Sequence, residues 1–343
     1  MRVLLTADPG LEDVVLRELK DRGLSGEARP FGYPGLVLAE APEAGPLFRL
    51  RSVHHVVRFL GEARLGGKAL LDALEALRPF EIPGLGPETS FAVRVYRRGA
   101  HDFQSPELER AFGALLVDRY RAPVNLTAPD LLVRVDLFED ALFLGLQLSR
   151  RALSLRYPKV YAPPAALKTS VAYGLLRLLG AEEGGRLLDA FTGSGTLAIE
   201  AAQAFSLSEI VAVDKNPRAV AGAEQNAAAA GVSGKIRFLV GDSRRLPAIF
   251  EENRFELVIA NPPYGKRLGR SENLFRLYSD FLESAKAVVA PGGRLGLLIL
   301  KRGWLDRILR RVGGWTLVHR RVLEIGGLYP GFFVLRRNRD VRS

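Results

Sequence analysis

The stretch "LLDAFTGSGTLAIEAA", residues 187–202, decides how the second half of this chain folds. Its apolar opening closes on Asp189 and reads as a buried strand. Gly193 and Gly195 then supply the backbone freedom for a sharp turn and a close approach to a ligand. Thr196 begins a run of helix formers, and the first turn of that helix offers unpaired N–H groups. Taken alone, the pattern fits any tight strand-to-helix turn.

Working outward, the same alternation repeats. "EIVAVD" (209–214), "IRFLVGD" (236–242), "FELVIANPPY" (255–264) and "GRLGLLIL" (293–300) read as further strands, with helices from Thr196, from Pro217 and near 272–289. Strand-helix alternation of this kind predicts a doubly wound parallel sheet. The stretch 316–337 reads as two last strands joined by a Gly-rich turn. Asp214 follows Gly195 by 19 residues and ends the second strand, where a carboxylate is placed to hold both ribose hydroxyls of a nucleoside. Asp242, with Ser243 beside it, ends the third strand, where it can accept from an adenine amino group or cap a helix. Polar sites at the carboxyl ends of successive parallel strands converge on one crevice. The third position of a dinucleotide loop would be Gly, and here it is Ile199; no phosphate-binding Lys motif is present either. Adenosine without a pyrophosphate fits better.

On these residues the region 165–300 resembles a class I methyltransferase that binds S-adenosylmethionine. The resemblance implies that Asp189 and the turn Gly193, Ser194, Gly195 and Thr196 lie against the methionine part. It likewise implies that Asp214 binds the ribose and Asp242 the adenine. "AALKTSVAYGLL" (165–176) is similar to the helix that covers the methionine moiety in relatives.

The fourth strand ends in "NPPYG" (261–265), which resembles the catalytic motif of methyltransferases acting on exocyclic or amide nitrogens. Such a nitrogen is a poor nucleophile because its lone pair is delocalised. The Asn261 side-chain oxygen and the Pro262 carbonyl can each accept one N–H, which favours the pyramidal, nucleophilic form. Two prolines stiffen the loop, and Tyr264 can stack on a flat base. Catalysis is then largely orientation, and no strong general base is expected. The motif alone is compatible with DNA adenine N6, guanine N2 or a protein glutamine amide.

The first half narrows the choice. "MRVLLTA" (1–7) and "GLVLAE" (35–40) read as strands, 9–23 as a helix, and 46–65 as a helix running towards a strand, which suggests a ferredoxin-like α+β unit. A helix over 67–79, a strand over 90–99, a helix over 105–120 with Ser105 as its N-cap, and a hairpin turning at Glu139-Asp140 follow. Residues 90–148 look like a THUMP domain, a module of tRNA-modifying enzymes that recognises the acceptor end of tRNA. With it, the chain resembles the THUMP-containing tRNA guanine-N2 methyltransferases that act on guanosine 6 of the acceptor stem. The expected domains are 1–65 (ferredoxin-like), 66–150 (THUMP), 151–166 (linker) and 167–343 (Rossmann-like methyltransferase).

Charge agrees with a polyanionic partner. The net charge is +11, but residues 1–150 hold 19 Lys/Arg against 21 Asp/Glu, and residues 151–343 hold 30 against 17. Arg94, Tyr96, Arg97 and Arg98 on one strand, and Lys266 and Arg267 after the catalytic motif, are the candidate RNA contacts. With no cysteine and four scattered histidines, neither disulfides nor a metal site is expected. No apolar run approaches a membrane span, and the N-terminus is acidic and amphipathic rather than an export signal. A cytoplasmic monomer acting on tRNA is the expectation. The competing readings are a ribosomal RNA guanine-N2 or DNA adenine-N6 methyltransferase, and a non-catalytic RNA-binding protein.

Overall fold

A computed structural model describes residues 1–164, 166–264 and 271–339. The chain divides into two compact units, Met1–Ala7 with Val15–Leu153, and Asp8–Val14 with Ser154–Ser343.

The first unit is built on β1 (Arg2–Ala7), β2 (Ser25–Ala28), β3 (Leu36–Glu40), β4 (Val53–Arg64), β5 (Phe91–Arg98), β6 (Leu131–Phe138) and β7 (Ala141–Gln147). They form one sheet in the order β2-β3-β1-β4-β7-β6-β5, in which only β5 and β6 run parallel. The expected boundary at residue 65 follows β4, which is bonded to β1 on one side and to β7 on the other. The helices are α1 (Glu12–Lys20), α2 (Leu70–Leu77) and α3 (Ser105–Tyr120). Ala73, Leu77, Leu108, Phe112 and Leu116 of α2 and α3 cover Val93, Val133, Val135 and Leu144 of the sheet.

Two local readings need correction. The stretch 46–65 is a short 3-10 turn followed by the twelve-residue β4, not a long helix. Its Val53, Val56, Val57 and Phe59 favour the pleated surface of a central strand. The N-cap of α3 is Gln104, one residue earlier than expected; its backbone N–H donates to Glu107 Oε2 at 2.5 Å.

The second unit contains α4 (Thr169–Leu179), β8 (Arg186–Asp189), α5 (Thr196–Ala204), β9 (Glu209–Asp214), α6 (Pro217–Ala229), β10 (Arg237–Val240) and β11 (Phe255–Ala260). It continues with α7 (Ser271–Val288), β12 (Val289–Ile299), α8 (Leu305–Val312), β13 (Trp315–Val322) and β14 (Gly331–Arg337). The sheet order is β10-β9-β8-β11-β12-β14-β13, parallel from β10 to β12 and antiparallel beyond. This is the doubly wound sheet expected from the sequence, with its strand order reversing between β8 and β11.

Strand alternation divides the apolar residues between two cores. Leu187, Ile210, Ala212, Leu257 and Ile259 join the core under α4 and α5, whereas Leu188, Val211, Val213, Val258 and Ala260 join the core under α7 and α8. Two further pieces of chain pack into this unit. Asp8–Val14 adds Leu11 and Val14 to the first of these cores, and Asp8 accepts from Lys168 Nζ at 2.9 Å and Ser170 Oγ at 2.6 Å. The segment expected to be a linker is packed as well. Tyr157 is buried, and Asn226 on α6 holds the backbone of Tyr161 through its Oδ1 (2.9 Å) and Nδ2 (2.7 Å).

Among the described residues no helix is long and apolar enough to cross a membrane.

Candidate active site

The carboxyl ends of β8, β9, β10 and β11 open on a cleft of about 460 Å³. Register explains why it lies there. Asp189 pairs across to Ile259 on β11 and to Ala212 on β9, so Asn261 and Asp214 each stand two residues beyond the strand pair that Asp189 closes. The reversal of strand order leaves these ends uncovered, the usual position of a ligand in an open α/β sheet.

Gly193 and Gly195 have φ of 53° and 80°, which L side chains rarely adopt. At 195 a Cβ would also meet Ala223 Cβ at 3.0 Å, whereas at 193 it would project into open space. The turn is pinned from β9, because Asp214 Oδ2 accepts from Gly193 N at 3.0 Å and Oδ1 accepts from Asn216 N at 2.9 Å. A carboxylate has about four acceptor positions, so Asp214 keeps capacity towards the cleft. Asp189 lies beneath the turn, fully buried. Its Oδ2 accepts from Thr192 Oγ1 at 2.9 Å, and its Oδ1 has no partner among the described residues. Burial, reinforced by the nearby Asp214 charge, pushes Asp189 up to about 7.

Asp242 is an N-cap at the edge of the cleft. It caps the short helix Ser243–Ala248 by accepting from Arg244 N at 3.0 Å, and it lines the cleft. Arg244 Nε also reaches Oδ1 and Oδ2 at 3.0 Å, and this clamp holds Asp242 below the usual carboxylate range. Ser243 donates to the Ala190 carbonyl, so its hydroxyl ties two strand ends together.

At the end of β11, Tyr264 Oη donates to Asn261 Oδ1 at 2.8 Å, and Tyr278 Oη on α7 donates to the Pro263 carbonyl at 2.9 Å. Burial raises both phenols, Tyr278 to about 12. Both are therefore neutral donors at physiological pH. The Pro262 carbonyl has no donor among the described residues.

Gly193, Ser194, Thr196, Asp214, Asp242, Ser243, Asn261, Pro262 and Tyr264 thus line one cleft. Asp189 and Gly195 act from behind it, as the floor and hinge of the turn. Phe191, Leu277 and Pro163 supply apolar wall, and Arg244 supplies a cation; none of these four was singled out in the sequence. Phe191 had a signal, as the aromatic of the Asp-x-Phe turn, and its ring stands edge-on to Phe281 of α7 at 5.0 Å. This donor set fits an adenosyl amino acid. The carboxylates of Asp214 and Asp242 line the cleft and can accept from hydroxyl and amino groups, and the Gly193 backbone has open space beside it. Ile199 is fully buried in the core, where a dinucleotide loop would need Gly.

The RNA candidates divide. Lys266 and Arg267 lie outside the described residues. On β5 of the first unit, Arg94 binds the Val93 and Leu126 carbonyls at 3.0 and 3.1 Å, and Arg97 reaches Gln104 Oε1 at 3.2 Å. Tyr96 and Arg98 are exposed. The Tyr96 ring rests 3.8 Å from the guanidinium of Arg134, itself buried and paired with Asp136 at 2.6 Å. His55 and His101 are hydrogen-bonded to their own unit, to Ser149 Oγ at 3.4 Å and the Glu139 carbonyl at 2.6 Å.

Comparison with known proteins follows the same division. Residues 156–330 match the RMKL-like methyltransferase domain model, and residues 73–147 match the THUMP domain model. A tRNA (guanine(6)-N2)-methyltransferase of Thermus thermophilus is 43% identical over 97% of this chain and 98% of its own length. One of the same description from Archaeoglobus fulgidus is 28% identical over 97% of this chain and 92% of its own. The crystal structure of TrmN from Thermus thermophilus superimposes with a TM-score of 0.80 at 40% identity, covering 98% of this chain and 99% of that one.

Proposed function

This chain belongs to the THUMP-containing, RMKL-like methyltransferases, and we propose on that premise that it methylates N2 of guanosine 6 in the acceptor stem of tRNA, using S-adenosylmethionine. One observation carries the reading. The Asn261-Pro262 acceptor pair stands at the carboxyl end of β11, beside the glycine turn and the two cleft carboxylates.

The bound cofactor supplies an electrophilic methyl group on its sulfonium. The chain's own residues do the rest. Asp214 takes the ribose hydroxyls, and Asp242, oriented by Arg244, takes the adenine amino group. Asn261 Oδ1 and the Pro262 carbonyl each accept one N–H of the guanine N2 and hold its lone pair outward. The Tyr278 bond to Pro263 and the proline pair keep that loop from yielding. Tyr264 stacks on the base, and its hydroxyl leaves Asn261 as the amine arrives. A guanine within a duplex must be flipped out to reach this cleft. After transfer the nitrogen holds a proton it readily gives to water, so no side chain needs to act as a general base.

For the RNA we assign contacts to Arg94, Tyr96, Arg97 and Arg98 in the first unit and to Lys266 and Arg267 near the catalytic motif. The THUMP match and the tRNA-directed relatives favour tRNA over ribosomal RNA or DNA, and with tRNA as substrate we place the protein in the cytoplasm as a monomer. The test is methylation of unmodified tRNA transcripts with labelled cofactor, followed by nucleoside analysis and position mapping. N2-methylguanosine at position 6 is the expected product. N6-methyladenosine, or label at another position, would overturn the assignment.

A further inference from the structure

S-adenosylmethionine carries three charged groups at neutral pH: the sulfonium, an ammonium and a carboxylate. The cleft carboxylates Asp214 and Asp242 suit donors and repel an anion. Its two lining cations, Lys215 and Arg244, stand beside those same acids at the ends of β9 and β10, and Arg244 is forked onto Asp242. Leu167 and Thr196, which opens α5, also line the cleft, and a positive group beside them would suit the methionine carboxylate.

One stands there. Lys159 Nζ donates to the Leu167 carbonyl at 2.7 Å and to Thr196 Oγ1 at 3.2 Å, and both of these residues line the cleft. Both acceptors are neutral. An ammonium has three N–H groups, and no carboxylate of the described residues lies within ion-pair distance of this one. Glu200, the acid whose charge acts on it, is buried one turn into α5 and pairs with Arg156 at 3.6 Å. Burial lowers the Lys159 pKa despite the Glu200 charge. A half-buried cation whose hydrogen bonds reach only neutral acceptors is poorly compensated, and an incoming anion would relieve it. Thr196 also opens the nine-residue α5, whose N-terminal N–H groups favour an anion at that end.

We propose that Lys159 is the cation that receives the methionine carboxylate of the cofactor, shared with Thr196 and the first turn of α5. The inference rests on the cofactor reading above and adds a binding residue from the segment that the sequence presents as a linker.

The test compares two ligands by calorimetry on the full chain. S-adenosylhomocysteine carries the carboxylate; S-adenosyl-3-thiopropylamine keeps the thioether and the amino group and lacks only that carboxylate. Lys159→Gln should weaken S-adenosylhomocysteine binding by about 10- to 150-fold, the range for a hydrogen bond to a charged group. It should leave the amine analogue within about twofold, the tolerance we set for an unchanged site, and Lys159→Arg should restore most of the loss. Equal loss for both ligands would make Lys159 a structural residue and overturn the proposal, as would no loss for either. Failure of the wild-type chain to bind S-adenosylhomocysteine would instead overturn the cofactor reading itself.

Discussion

Replacing Tyr264 with Phe should make the enzyme more efficient, not less. In the structure the phenol donates to Asn261 Oδ1 at 2.8 Å, and that oxygen is the proposed acceptor for the substrate amine. The bond is partly shielded from water, and burial keeps the phenol protonated, so it competes with the substrate at every working pH. A neutral hydrogen bond of this kind contributes about 0.5–1.5 kcal/mol net. Phe removes the competitor and keeps the ring. The expected gain in kcat/KM for tRNA is therefore about 2- to 12-fold, with S-adenosylhomocysteine affinity unchanged. Tyr264→Ala removes the ring as well and should lose the roughly 1–3 kcal/mol of base stacking, a fall of about 5- to 150-fold. The assay is initial-rate methyl transfer at subsaturating tRNA. If Phe and Ala lose activity equally, the hydroxyl is needed in the transition state, and its placement as a resting-state occupant of Asn261 is wrong.

Three further outcomes follow from the same geometry. Asn261→Ala should lower kcat by about 10²-fold or more, the scale of losing one positioned polar group, with cofactor affinity nearly unchanged; a near-wild-type rate would sink the amine-holding role. Asp189, at about 7 in the fold against 3.8 ordinarily, binds its proton more tightly folded than unfolded between those values. Stability of the ligand-free protein should therefore fall as pH rises through that window, and Asp189→Asn should flatten the melting temperature measured from pH 5 to 8. Gly195→Ala must hold a left-handed φ at about 1–2 kcal/mol while its Cβ presses on Ala223. Thermal unfolding should shift down by about 2–8 °C, and an unchanged melt would show that the turn relaxes freely.

The parallel sheet was legible because its signals are local: apolar runs, a glycine turn, and acids at strand ends. Asn261, Asp214 and Asp242 were legible for the same reason, since a strand delivers its last residue to the crevice whatever lies elsewhere. Partners chosen by tertiary packing were not legible. Nothing near Asp242 in sequence says that Arg244 will fold back onto it rather than face solvent. The Tyr278 bond to Pro263 spans a helix and a loop that meet only in the fold. The stretch 46–65 misled because its apolar spacing suits a helix, while its place between β1 and β7 makes it a strand. Residues 154–164 misled by composition: Arg, Pro and Tyr suggest a spacer, yet Tyr157, Lys159 and Tyr161 are held by α6 and by the edge of the cleft.

The membership of Asp8–Val14 in the second unit bears on how the chain is synthesised. Asp8 leaves the ribosome well before Lys168 and Ser170, which it binds and which lie 160 and 162 positions later. Arg321, which donates to the Gly10 carbonyl at 3.0 Å, comes 311 positions later. Domains generally fold in order as they emerge, yet the segment Asp8–Val14 has to wait for residues 160 to 311 positions downstream before these contacts exist. Removing residues 1–150 would not release an intact methyltransferase unit, because Leu11, Val14 and Asp8 would go with them. The catalytic unit is thus not a transferable cassette: a piece that closes it is made well before the rest of it.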